Sequence, residues 1–248
     1  MDRLIFTAYS GMSASMTRQR IVASNMANAQ TIGFRAETIQ STPMTLDGPQ
    51  LGVRSMNQTQ VHGASMKAGS IVQTGRPLDI ALQGDTMLAV QTADGGEGYT
   101  RRGDLSVSAT GLLQNGDGLP VIGDGGPVTV PPGSIVTISQ DGGVLIADPA
   151  TPDQPPAQVA KLKLANWNGS QIQKDINGIF RVVGGGVLPA DDNAKVVSGA
   201  LEQSNVQPTE VLVDMVEAQR SYDIRTKLIS TARELDEGGA SLMRVNAS

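Results

Sequence analysis

The chain has 248 residues, a formal net charge of −5, no cysteine and only 3% aromatic residues. A negative net charge without a basic cluster argues against a nucleic-acid partner. The absence of cysteine excludes disulfides, thiolate metal sites and cysteine nucleophiles. No run of eighteen apolar residues is present, so we expect no membrane-spanning segment. With 29 glycines, the composition favours a thin core with many turns.

The first thirty residues have the pattern of a helix. Apolar or small side chains recur at alternating steps of three and four, which places them on one narrow stripe. The stretch contains no continuous apolar segment before Arg18, so we expect no cleaved secretory signal. The helix is too weakly amphipathic to stand alone and needs a partner. The stripe consists of Ile5, Ala8, Met12, Ser15, Gln19, Val22 and Met26.

The end of this helix carries two asparagines and a glycine. Asn25 and Asn28 lie three residues apart, so they share one side of the last turn. Either they cap the helix and face solvent, or they form hydrogen bonds to a packed helix. Gly33 is a candidate for a left-handed helix cap, because glycine adopts a positive φ without strain.

Residues 36–75 are rich in Ser, Thr, Gln, Gly and Met and show weak periodicity. We interpret them as an extended region without a core of its own, lying along another surface or a neighbouring molecule. The single histidine, His62, falls here and reads as a solvated linker residue. A Ser-His-Asp relay would depend on it, and histidine-based metal sites need more than one. The sequence therefore predicts no catalytic residue, no metal site and no cofactor.

Residues 76–200 predict an all-β domain. Short apolar or alternating runs are separated by Asx-Gly pairs, which are typical of hairpin turns. Two Asp/Asn-Gly clusters, at 115–118 and 124–126, superficially suggest calcium loops. They lack the spacing and the terminal glutamate of an EF-hand, so turns explain them better.

The last segment predicts one long helix from about Pro208 to Arg244. Its 3.5-residue repeat is the pattern of a coiled-coil seam and is interrupted only by Arg225. Further apolar positions widen the stripe, so more than one partner helix could be covered. The alternative is an ordinary antiparallel helix pair within one domain. The seam positions are Val211, Met215, Ala218, Tyr222, Ile229 and Ala232, and the widening positions are Leu212, Val216, Ile224, Leu228 and Leu235.

Together these elements predict an α+β fold. The N- and C-terminal helices pair as a coiled-coil-like domain, and an all-β domain of many short strands is inserted between them. We expect an N-terminal helical part at 1–35, an extended linker at 36–75, a β-rich domain at 76–200 and a C-terminal helical part at 201–248.

Three blocks of sequence carry a further signal. The first contains Ser10-Gly11-Met12 and Asn25-x-x-Asn28-x-x-Thr31-x-Gly33-Phe34-Arg35. The second contains residues 76–85 and 98–103, and the third contains residues 199–206, 219–222 and 229–232. In content and order these blocks resemble the bacterial flagellar rod and hook (axial) proteins. Residues 1–8, 119–123 and 126–131 are most similar to a proximal-rod member, with the distal-rod protein as the alternative.

The resemblance implies a structural role without catalysis. Members of this family assemble with themselves and other rod subunits into a hollow helical shaft that transmits torque to hook and filament. They reach the periplasmic space through the flagellar type III export apparatus, without a cleaved signal. A secreted β-rich binding module is the alternative from another class. The predicted assembly interface comprises Ile5, Ala8, Met12, Val22, Asn25, Asn28, Gly33, Phe34, Val211, Met215, Ala218, Tyr222, Ile229 and Ala232.

Overall fold

The computed structural model describes residues 2–45, 55–131, 133–148, 154–175 and 177–245. At residues 2–8, 40–45, 55–62, 236 and 239–245 it describes the backbone only. The chain divides into two compact units. The first, called the helical unit, comprises Met1–Ala27, Glu37–His62 and Gln207–Ser248. The second, called the β unit, comprises Asn28–Ala36 and Gly63–Val206.

Two long helices form most of the helical unit. Helix α1 runs over Asp2–Ala27 and helix α2 over Pro208–Val245, so the helix predicted from Pro208 is confirmed. Pro208 suits the first turn because its missing N–H needs no acceptor there. Glu210 lies in the same turn, where the helix dipole favours a carboxylate.

The predicted extended region contains regular strands. Strand β1 (Glu37–Thr45) pairs with strand β2 (Ser55–Ala64) in a two-stranded sheet. His62 therefore lies within a strand, and the interpretation of its position as a linker was wrong. Its side chain lies outside the described atoms. Strand β3 (Ile71–Gln73) belongs to the β unit.

The β unit is built from short antiparallel strands, in agreement with the prediction of a β-rich domain. After β3 its strands are β4 (Ile80–Leu82), β5 (Thr86–Gln91), β6 (Glu97–Thr100), β7 (Ser106–Val107), β8 (Leu113–Gln114), β9 (Ile122–Gly123), β10 (Gly126–Pro127), β11 (Ile135–Ile138), β12 (Gly143–Ala147), β13 (Ala157–Lys161), β14 (Leu164–Asn166), β15 (Ile172–Lys174), β16 (Phe180–Val182), β17 (Val196–Ser198) and β18 (Ala200–Glu202). A five-stranded sheet has the order β14-β5-β6-β16-β15, and a three-stranded sheet has the order β11-β12-β13. Two-stranded sheets join β3 to β18, β4 to β17, β7 to β8 and β9 to β10.

Strand β5 separates two hydrophobic clusters. Successive side chains of a strand point to opposite faces. Leu88 and Val90 therefore enter one cluster, whereas Met87 and Ala89 enter the other. Tyr99 on β6 lies opposite Ala89 and is fully buried in the second cluster. This arrangement covers both faces of β5 and explains how a chain with few aromatic residues forms a core.

Asx-Gly pairs close several of the hairpins, as predicted. In the turn between β5 and β6, the Thr92 N–H donates to the Gly96 carbonyl, and Gly95 has a φ of 81°. In the turn between β11 and β12, Gly142 has a φ of 82°. Among the described residues only glycines have a positive φ, so the preceding Asp and Asn residues keep ordinary backbone geometry.

Candidate functional site

Helices α1 and α2 pack against each other through small side chains. Ser15 and Ser221 bring their hydroxyl oxygens to 3.4 Å, and Arg18 reaches Asp214 at 3.3 Å. The numbering rises along α1 as it falls along α2, so the helices are antiparallel. Ala14 and Ala218 are buried at this contact and let the backbones approach closely.

The opposite side of α2 exposes several apolar side chains, with charged residues between them. Leu212, Val213 and Val216 are 49%, 61% and 57% exposed. Ile224 extends this outer face, and Tyr9 on α1 is also exposed. Exposed apolar side chains that cluster on one helix face often mark an interaction surface. Among the residues with described side chains, those of α2 that are buried, Val211 and Ala218, lie on the side facing α1.

The predicted seam residues divide into three groups. Val22, Val211 and Ala218 are buried. Met12, Tyr222, Ile229 and Ala232 are partly buried, and Met215 is exposed. The side chains of Ile5 and Ala8 lie outside the described atoms. One copy of the chain thus buries only part of the predicted interface.

Asn25 holds strand β1 against helix α1. Its side-chain nitrogen donates to the Glu37 carbonyl at 3.1 Å, and its oxygen accepts from the Glu37 N–H at 2.8 Å. The side-chain amide of Asn25 therefore pairs with the Glu37 backbone as the backbone of a neighbouring strand would. Neither alternative considered for Asn25, capping with solvation or bonding to a packed helix, describes it.

Asn28, Gly33 and Phe34 lie in the β unit, apart from the seam residues of the helical unit. Asn28 forms a local turn in which its carbonyl accepts from the Thr31 N–H. Lys174 places its ammonium group 3.5 Å from the centroid of the Phe34 ring. The first sequence block, which ends at Arg35, therefore contains residues of both units.

Gly33 has the left-handed conformation that was predicted, with a φ of 67°. Its predicted role as the helix cap was wrong, because α1 ends at Ala27 and the Gly33 N–H donates to the Glu202 carbonyl at 2.8 Å. A side chain here would also stand 2.5 Å from the backbone of Arg101. Gly33 is required for a close approach between backbone segments.

A buried cluster of charges joins distant parts of the β unit. Glu202 accepts from Arg101 through Nε at 2.8 Å and Nη2 at 2.5 Å, and from Arg35 Nη2 at 2.8 Å. All three side chains are at most 3% exposed. Arg101 also donates to the carbonyls of Leu82, Gly84 and Thr86. Desolvation lowers the pKa of Arg35, and the Glu202 carboxylate opposes that shift.

Sequence analysis missed this cluster, although each member lies in one of the three sequence blocks. Arg35 ends the first block, Arg101 lies in the second and Glu202 in the third. Asn205, also in the third block, binds the Ala36 N–H and the carbonyls of Ser65 and Lys67. Helical and strand periodicity carry no information about such long-range pairs. The presence of charged residues in every block was the available signal.

Metal binding and membrane insertion were also considered for the described residues. These residues contain no group of three or more His, Asp or Glu side chains arranged to bind a metal. Within the same residues, neither helix has a stretch apolar and long enough to cross a membrane.

Three family models match the chain in sequence order. Residues 5–35 match the flagella basal body rod protein model, and residues 81–146 match the flagellar hook protein FlgE/F/G D1 domain. Residues 197–242 match the flagellar basal body rod FlgEFG protein C-terminal model. These segments contain most of the three blocks identified from the sequence.

Curated relatives extend the match to nearly the whole chain. Flagellar basal-body rod protein FlgF of Salmonella typhimurium is 42% identical, over 97% of this chain and 98% of the relative. FlgF of Escherichia coli is 42% identical over 93% and 94% of the two chains. Flagellar basal-body rod protein FlgG of Bacillus subtilis is 29% identical over 98% and 100%. This similarity shows that the chain belongs to the flagellar basal-body rod protein family, in which it is FlgF-like.

Proposed function

We propose that the chain is a structural subunit of the bacterial flagellar basal-body rod. The family is structural and not enzymatic. The observation that carries the proposal is the outer face of α2, where Leu212, Val213 and Val216 are exposed. A subunit that is buried among its neighbours needs such a face, whereas an isolated globular protein gains nothing from it. This role replaces the alternative of a secreted binding module.

The finer proposal is that the two helices complete a coiled coil with neighbouring subunits of a hollow, torque-transmitting shaft. Helix α2 has 38 residues against 26 in α1, so α1 alone cannot cover it. The heptad spacing of Val211, Ala218 and Ala232 supports this packing mode. Export by the type III apparatus, assembly in the periplasmic space and contacts with other rod subunits complete the proposal and rest on the family.

Within the rod we propose a proximal position. The identity of 42% to FlgF of two species, against 29% to one FlgG, supports it. A distal-rod position is the second candidate. Complementation separates the two, because a proximal subunit restores motility to a host lacking FlgF but not to one lacking FlgG. Restoration only in the host lacking FlgG would reverse the assignment.

We also propose that the sheet formed by β1 and β2 contacts adjacent subunits. Two helices can slide past each other by one turn, whereas a second contact of different shape opposes sliding. Asn25 fixes β1 to α1 through two hydrogen bonds, so load on the sheet would reach the helix directly. Removing residues 56–62 of β2, which precede the β unit, should lower motility while the β unit still folds.

A charge on α2 tests the proposed assembly. Met215→Asp should leave the free chain folded because the side chain is 43% exposed. In the rod the same carboxylate would be buried without a partner, at a cost of several kcal/mol. We expect the variant to be absent from purified basal bodies and the host to be non-motile. Asn193→Asp, which adds the same charge to an exposed turn of the β unit, is the control. Equal incorporation of both variants would contradict the proposal.

A further inference from the structure

Arg225 is the one position at which a charge interrupts the apolar seam of α2. It lies opposite Gly11 of α1, where an added methyl group would stand 3.4 Å from Arg225 Nη1. A larger residue at position 11 would compete with the guanidinium for this space. The antiparallel pairing of α1 and α2 therefore places a cation inside the helix contact.

The guanidinium faces a groove of about 580 Å³ in the helical unit. Its floor is apolar and includes Ala14, Ile21 and Val22 from α1. Strand β1 forms one wall and α2 the other. These dimensions and this lining fit a side chain of a partner better than a free ion, which would leave the apolar floor wet.

Other charged groups of the groove already have partners. Arg18 binds Asp214 and Glu217, and Glu37 accepts from Ser24. Arg225 differs, because its Nη1 is buried and no acceptor in the described part of the chain binds it. A buried N–H without an acceptor is rare in folded proteins, since it has lost its hydrogen bonds to water. One copy of the chain thus leaves this site incomplete.

We propose that a carboxylate of α2 from a second copy of this chain enters the groove and accepts a hydrogen bond from Arg225, whose guanidinium turns from its buried position toward the groove to meet it. This inference rests on the proposed assembly into the rod. The distribution of charge identifies α2 as the donor of the carboxylate: residues 9–27 of α1 contain arginines and no acid, whereas residues 208–223 contain four acids and one arginine. Glu210 and Asp223 are exposed, Asp223 within the outer face of α2 and Glu210 at its edge. That face would cover the groove floor while the carboxylate reaches Arg225.

Arg225→Met separates a site between copies from a site within one chain. We expect the thermal midpoint of the purified chain to stay unchanged or rise, because the variant removes a buried donor that lacks an acceptor. Incorporation into basal bodies should fall at least tenfold. Lys195→Met removes an exposed cation of the β unit and should change incorporation less than twofold. A lower midpoint, unchanged incorporation, or an equal loss in the control would overturn the proposal.

Charge reversal identifies the partner. Arg225→Glu alone should abolish incorporation, and combining it with Glu210→Arg or Asp223→Arg should restore at least a third of the wild-type level in one case. Failure of both combinations would overturn the proposal. Failure of the proposed rod function would be seen in a different result, because the wild-type chain itself would then not restore motility. If Met215→Asp blocks incorporation and Arg225→Met does not, the rod assignment stands and the groove has no such role.

Discussion

Replacing Glu202 by glutamine should destabilise the β unit severely. The carboxylate pairs with both Arg35 and Arg101 in a buried site, and its Oε1 also accepts from the Gly69 N–H at 2.8 Å. Glutamine retains the shape but removes the charge and places an NH2 group among N–H donors. Breaking a buried ion pair from one side typically costs about 3–5 kcal/mol. That is a large part of the 5–15 kcal/mol that stabilises an ordinary domain.

The single tryptophan makes the measurement direct. Trp167 is partly buried against the second hydrophobic cluster of the β unit, so its fluorescence follows unfolding of that unit in urea. Asp192→Asn is the matched control, since its pair with Lys161 is on the surface and should contribute at most about 1 kcal/mol. A loss below about 1 kcal/mol for Glu202→Gln, equal to the control, would refute the role given to the cluster.

Three further predictions follow from single contacts. Gly33→Val should lower the free energy of unfolding by about 2–5 kcal/mol, because it combines a positive φ with a clash at the Arg101 backbone. A loss within error of zero would show that the backbone moves to accommodate the side chain. Burial raises the pKa of Tyr99, so its contribution to stability should be constant below about pH 10 and fall above it. Tyr99→Phe should flatten the slope of stability against pH above about pH 10, and an unchanged slope would count against this role. Asn25→Ala should speed amide exchange at Glu37 at least tenfold, and unchanged exchange would disprove the clamp.

The elements with a strong hydrophobic period were predictable from the sequence. Helix α2 was expected from Pro208 to Arg244 and runs to Val245. Alternation in the middle of the chain correctly indicated β structure, although strands of two or three residues have no boundaries that a pattern can define. Strands β1 and β2 were predicted only as an extended region, because their sequence is rich in polar residues and shows no clear alternation.

The charge cluster could not be predicted from periodicity, for a different reason. Arg35, Arg101 and Glu202 are far apart in the sequence, and only the tertiary fold brings them together. Gly33 illustrates the same limit at one residue. Its conformation was correctly inferred from its type, but its contact with Glu202 depends on a strand near the other end of the chain. The residue type therefore predicted the backbone conformation of Gly33, whereas the contact that requires this conformation depends on the tertiary fold.

In the assembled rod, neighbouring subunits should cover the exposed apolar side chains of α2. A subunit-resolved structure of the basal body would show whether they do. We expect Leu212, Val213 and Val216 to be buried against helices of adjacent subunits, with the α1–α2 contact through Ser15 and Ser221 retained. Finding these three side chains still facing solvent in the assembled rod would contradict it.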